Sequence, residues 1–336
     1  MSIRLKRYRS LWFLVFFIPC LSGCHSEKDA RIPEVGQLKV ENVPVHRYGN
    51  ALFSIPLDSF AERLAEIQDE FRFFLDGDIE DSLNILRLKQ FVSDPFIREI
   101  AAEVGKKYET LDGLADSLSM MMAHYKHHFP EAEIPKVYTY ISGLHYENPV
   151  QYFDEALIIG LDMYLGPEAP YYAHIGMPRF FAERCSPSHI LPHSALEISR
   201  SHNAEPEKED FISKMFFDGK QTYFAGMLLP GVAENLLLNY SPAQYQWCLE
   251  NEKKLWAFLV SNEYLYSTDQ ALINRFRQDG PFTHAFGSES PPRLATFTGW
   301  RMVSSYMKNN PNVSLPDLMQ ETDAHRVFRE SAYKPR

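Results

Sequence analysis

The residues best placed to do chemistry lie in His193-Ser194-Ala195-Leu196-Glu197 and, about twenty residues on, in Asp218-Gly219-Lys220-Gln221-Thr222-Tyr223. An imidazole and a carboxylate one helical turn apart share a helix face, and a carboxylate from a second helix would complete a three-donor set for zinc. Hydrolysis by the H-E-x-x-H arrangement also needs a glutamate beside the first histidine, to take a proton from the metal-bound water. Ser194 stands at that position, and a serine hydroxyl accepts no proton near neutral pH. The outer frame is present without its base. We therefore assign no catalytic residue, no metal and no cofactor, and take His193, Ser194, Glu197, Asp218 and Tyr223 as candidates for a vestigial cleft.

Other groups carry weaker signals. His124, His127 and His128 sit at i, i+3 and i+4 near the end of an expected helix, a spacing that suits a transition metal. No Cys, Asp or Glu accompanies them in the same turn, and imidazolium at a helix C-terminus complements the dipole, which is the reading taken. Asp162 ends an expected strand and receives no role. Cys185 and Cys248 are either one disulfide or two buried thiols, since spacing alone does not give their separation.

The N-terminus is more specific. Arg4, Lys6, Arg7 and Arg9 precede the apolar run Leu11 to Ile18, the layout of a secretory leader too short to span a bilayer comfortably. It ends in Leu21-Ser22-Gly23-Cys24, a lipobox pattern in which the thiol of Cys24 receives diacylglycerol before cleavage ahead of it. Residues 1–23 are thus expected to leave, and Cys24 to anchor the protein through more than one acyl chain, as stable membrane binding requires. Loss of four basic residues deepens the net charge from −10 to −14. Such an acidic chain has no general attraction for nucleic acid.

The elements that would position these residues follow from periodicity. Residues 24–50 are polar with scattered Pro and Gly and read as a tether, leaving 51–336 as one domain. Ser59-Phe-Ala-Glu62 matches a capping box, and Phe60, Leu64, Ile67, Phe71, Phe74 and Leu75 follow on one face. Helices are expected across 56–130. After Pro135, Val137–Ile141 and Ala156–Leu165 are rich in β-branched and aromatic residues and read as strands of a small sheet within 136–165. Helices return across 178–331, among them 188–202, 206–228, 241–261 and 293–309. Ser241-Pro-Ala-Gln244 combines an N-cap, a first-turn proline and a capping glutamine. The fold class is α+β, mostly helical with a small sheet. With 45% apolar residues, including 24 Phe, 18 Tyr and 4 Trp, it has ample material for a core.

Several dispersed strings resemble one family. VYTYISG from Val137, IIGLDMYLG ending at Gly166 with Tyr171-Tyr172 beyond, Trp247-Cys-Leu-Glu-Asn-Glu252 with Trp256-Ala-Phe258, Leu265-Tyr-Ser-Thr-Asp269, Pro281-Phe-Thr283, Gly299-Trp300, Ser305-Tyr-Met-Lys308 and the ending Tyr333-Lys-Pro-Arg336 are similar to the gliding-motility lipoprotein B family of Bacteroidota (GldB). The resemblance spans nearly the whole chain after the leader. It implies an envelope lipoprotein, outer membrane by expectation, that works in gliding with partners of the type IX secretion machinery. It supplies no defined reaction. A more distant likeness to predicted zinc peptidases with a zincin-like fold implies a degenerate version of that architecture, in which a helix bearing E-G-x-A-x-Y pairs with the first-motif helix. Asp218, Gly219 and Tyr223 follow that pattern, and Gln221 departs from it. The alternatives are a metallopeptidase with atypical ligands and a ligand-binding lipoprotein with an aromatic-lined cleft.

Overall fold

The computed structural model describes residues 29–76, 81–153 and 155–335. The leader and Cys24 lie outside the described residues. Four strands form one sheet: β1 Val45–His46, β2 Lys136–Tyr140, β3 Val150–Phe153 and β4 Ala156–Gly160, in the order β1-β2-β4-β3. β2 runs parallel to β1 and β4, with Val137 opposite Val45 and Leu157, and β3 closes the far edge antiparallel to β4, Tyr152 opposite Leu157. Side chains alternate across a strand, so the sheet has two faces. Val137, Leu157 and Ile159 enter the main core, while Tyr138, Ala156 and Ile158 enter a smaller second one. Burial on both faces explains why β4 reads as an unbroken apolar run.

The second core is capped by the first helices, α1 Tyr48–Phe53, α2 Phe60–Ile67, α3 Arg72–Leu75 and α4 Ser82–Ser93. Tyr48 stacks on Phe74 with ring centroids 4.1 Å apart, and Phe71, Phe73 and Phe74 surround Tyr138. The single helix expected from Phe60 to Leu75 is broken between α2 and α3. Its expected capping box is absent too, because a 3₁₀ turn at Leu57–Ser59 feeds the helix and Ser59 makes no side-chain cap. Two more helices, α5 Pro95–Lys107 and α6 Asp112–His128, complete this half.

The polar segment expected as a tether is, from Asp29 onward, bound to the body. Val43 is buried and its N–H donates to Ser119 Oγ at 2.9 Å, and β1 extends the sheet. Polar composition marks a segment as exposed on one side without freeing it from the surface. The expected strand Ala156–Leu165 stops at Gly160, where a 3₁₀ turn Leu161–Tyr164 begins. Asp162 causes the change of course. Fully buried, its carboxylate accepts from Ser142 N, Leu144 N and Ser142 Oγ at 2.8–2.9 Å, holding the turn where Gly143 and Leu144 take positive φ.

The C-terminal half comprises α7 Pro170–His174, α8 Arg179–Ala182, α9 Ile190–His202, α10 Phe211–Leu228, α11 Glu234–Leu237, α12 Pro242–Ser261, α13 Gln270–Arg277, α14 Leu294–Asn309, α15 Leu315–Gln320 and α16 Ala324–Ser331. Ser241 and Gln244 cap α12 reciprocally, as the sequence predicts. The centre is the crossing of α10 and α14, where two glycines let the backbones meet. A Cβ built on Gly299 would stand 1.8 Å from Met215 O, and one on Gly219 2.3 Å from the Gly299 carbonyl carbon. Gly219, the pattern residue of the zincin likeness, is thus required by helix packing.

Candidate functional site

α9 starts after a 3₁₀ turn at Pro187–His189, and Pro192 falls in its first turn, where the missing N–H has no intrahelical partner to lose. The next residue, His193, lines a cleft of about 200 Å³ together with Val150, Phe181, Arg184, Asn239, Asp279 and Arg293. Both ring nitrogens are engaged. Nε2 donates to Asn239 Oδ1 at 2.9 Å, and Nδ1 accepts from the Tyr164 hydroxyl at 2.9 Å. Asn239 has φ +56°, a left-handed conformation that Asn tolerates better than most residues. Tyr164 is itself buried, and its carbonyl accepts from Tyr108 Oη at 2.7 Å.

The charges at the cleft are unequal. Arg184 is bidentate to Asp279, with Nη2 to Oδ1 at 2.7 Å, and Arg293 Nε lies 3.5 Å from the same oxygen without a hydrogen bond of its own. Two cations flank one carboxylate. Burial lowers the pKa of His193 to about 3, with the charges of His189, Arg184 and Arg293 pushing the same way against the Asn239 bond. Burial and Arg184 take His189 down to about 4. Both imidazoles are neutral at physiological pH. For Asp279, burial is outweighed by the Arg184 bond and the two arginine charges, and its carboxyl sits below the usual range.

Of the five candidate cleft residues, only His193 and Glu197 line this space. Glu197 pairs with Arg200 at 2.8 Å. Ser194 is fully buried and its hydroxyl returns to Ile190 O, the usual back-bond of a mid-helix serine. Asp218 is held bidentate by Arg277 at 2.7 and 2.8 Å, and the Tyr223 hydroxyl donates to Asp29. α9 and α10 do pack together, tied by Asn203 Nδ2 to Phe217 O at 3.0 Å. Their candidate side chains nevertheless have separate partners. Among the described residues no three His, Cys, Asp or Glu side chains come together as a metal-holding group.

The residues that shape the cleft, Arg184, Asn239, Asp279 and Arg293, carry no local signal, since they come from three different connections between helices. Lys220 had one: a lysine on a helix apolar nearly all round must be buried with partners. It is fully buried, its ammonium donating to Ala204 O, Met319 O and Glu321 O at 2.9–3.1 Å and lying 4.8 Å from the Phe216 ring centre. Burial lowers its pKa to about 8 against the pull of Glu205, so it stays charged. The dipole reading of the α6 histidines needs correction. Burial lowers His124 and takes His128 to about 4, with neighbouring histidines adding to it, so neither serves as an imidazolium at the helix end. Cys185 and Cys248 are free, buried thiols, and burial pushes Cys185, on the cleft wall, up to about 12.

Chemically, the cleft offers hydrogen-bond partners and charges of both signs, Arg184, Arg200 and Arg293 with Glu147, Glu197 and Asp279. Its histidine has no uncommitted nitrogen and its thiol stays protonated. No helix among the described residues is long and apolar enough to cross a membrane. No curated protein and no solved structure matches the chain. The family model described as gliding motility protein GldB matches residues 28–335, taking in both cores, the sheet and the cleft. The chain therefore belongs to the gliding motility protein GldB family, whose members are lipoproteins associated with gliding motility.

Proposed function

We propose that this lipoprotein is a non-catalytic envelope component of the gliding machinery, anchored in the outer membrane through Cys24 and working beside type IX secretion. Its cleft, on a degenerate zincin-like body, serves as a docking surface. One observation carries the reading: both nitrogens of His193 are committed to Asn239 and Tyr164. The H-S-x-x-E frame in place of H-E-x-x-H supports it. At about 200 Å³ the cleft is smaller than typical ligand pockets. It suits the insertion of a partner's side chain.

The anchor is tested first. Cys24→Ala should leave the protein unprocessed or release it from the membrane fraction, as acyl-chain labelling and fractionation would report; unchanged acylation would refute the anchor. The silent cleft is tested by substitution. His193→Gln, which keeps hydrogen-bonding capacity, should leave gliding intact, whereas Arg200→Glu on the exposed rim should abolish it without unfolding the protein. Stoichiometric zinc in the purified protein, with proteolysis lost in a folded His193→Gln variant, would overturn the proposal.

A further inference from the structure

The chain is clamped to the body only a few residues beyond Cys24. The Arg31 guanidinium is mostly buried against the end of α14, where Nη2 donates to Met307 O and Asn310 O at 2.8 and 2.7 Å and Nε to Val313 O at 2.8 Å. Nη1 donates to Asp29 Oδ1 at 2.9 Å, and Asp29 Oδ2 accepts from the Tyr223 hydroxyl of α10. Carbonyls at a helix C-terminus lack intrahelical donors and lie at the negative end of the dipole. A planar guanidinium satisfies several of them at once. Tyr223, singled out in the sequence for a cleft, has its role here.

Chain length then limits where the lipid can be. Asp29 is five positions past Cys24, and an extended chain covers at most about 3.6 Å per residue, so the acylated cysteine lies within roughly 18 Å of the clamp. Just past the clamp, Ile32 packs against the main core and Pro33 is buried, so the same short stretch is held at several points. Only with all of these released would Val43, bonded to Ser119, be the next fixed point, and the reach nearly four times longer.

We propose that the body sits directly on the bilayer that holds its anchor, with the corner made by the end of α14, the loop at 310–313 and the adjoining end of α6 turned toward the lipid surface. The inference rests on Cys24 being the acylated residue. Around this corner Lys308 and Asn312 are exposed, as are Lys126 and His127 at the end of α6, whose neighbour His128 feels the charges of Asp29 and Arg31. Val35, four residues past Arg31, leaves 63% of its surface exposed. Exposed lysines, and an exposed apolar side chain a few residues past the clamp, suit the headgroup region. The arrangement also decides function: partners must approach from the remaining faces, and the body cannot reach far from its own membrane.

The experiment uses the full acylated protein in phosphatidylcholine vesicles containing a headgroup-spin-labelled lipid. Asn312→Cys carries a fluorophore; Cys185 and Cys248 are buried and Cys24 is blocked by acylation. The label should be strongly quenched. Quenching should fall severalfold when about ten Gly-Ser residues are inserted after Ser26, which lengthens the tether while leaving the clamp untouched, and by less in an Arg31→Ala background, where Ile32 and Pro33 still hold the chain to the body. Vesicle flotation and the mass of the N-terminal peptide report the anchor separately. Failure to float, or a mass without acyl chains, overturns the Cys24 reading. Flotation with an unquenched label, or with quenching unchanged by the insertion, overturns the orientation.

Discussion

Replacing Gly299 by alanine should remove the folded state or cost more than about 4 kcal/mol, the exceptional end of single substitutions. Ordinary overpacking of a core costs about 1–3 kcal/mol because side chains shift. Here the added methyl would meet Met215 O at 1.8 Å and its carbonyl carbon at 2.6 Å, both backbone atoms of α10. Relief would require separating α10 from α14, the pair that supplies much of the main core. Gly219→Ala should act similarly from the other side. Gly226, also in α10, is the control. Its added Cβ would find only Leu237 Cδ1 at 3.5 Å, so Gly226→Ala should be neutral or gain up to about 1 kcal/mol in helix propensity. Urea denaturation of the three variants checks this, and a Gly299→Ala protein of near wild-type stability would show that the helices cross more loosely.

Acidification between pH 6.5 and 4 should unfold the protein. Burial holds His193 at about 3 and His128 and His189 at about 4 in the folded state, whereas an unfolded chain's imidazoles titrate near 6.5. With folded pKa values depressed, the unfolded state binds more protons in this window, so stability is intact above pH 6.5 and lost as pH falls. Each histidine contributes on the order of 3–5 kcal/mol over its full shift. Together they rival the roughly 5–15 kcal/mol that stabilises a typical domain. Asp162 and Glu197, whose carboxyls burial raises, oppose this in part. Near pH 5 the unfolding free energy should fall by up to about 4 kcal/mol per pH unit, the linkage slope for three protons. Urea titrations at stepped pH would measure it, and a flat profile from pH 7 to 4.5 would show that these imidazoles charge in place.

What the sequence determined by itself were features written in short windows. The apolar helix faces, the Ser241 cap and the cores of β2 and β4 depend on neighbours within about a helical turn or two. Family membership was legible too, because dispersed strings recur in order. The tertiary structure decided everything that depends on distant partners. β1 has only two residues, too few for periodicity, and exists because β2 supplies its hydrogen bonds. The breaks after Ile67 and Gly160 follow from tertiary demands that local propensity does not express. The five residues grouped as one cleft separate for the same reason: Asp218 is drawn to Arg277, Tyr223 to Asp29 and His193 to Asn239. Each ion pair or hydrogen bond joins residues tens to nearly two hundred positions apart. Burial then makes such pairings obligatory, because a polar group removed from water must find its partner wherever the packed helices bring one.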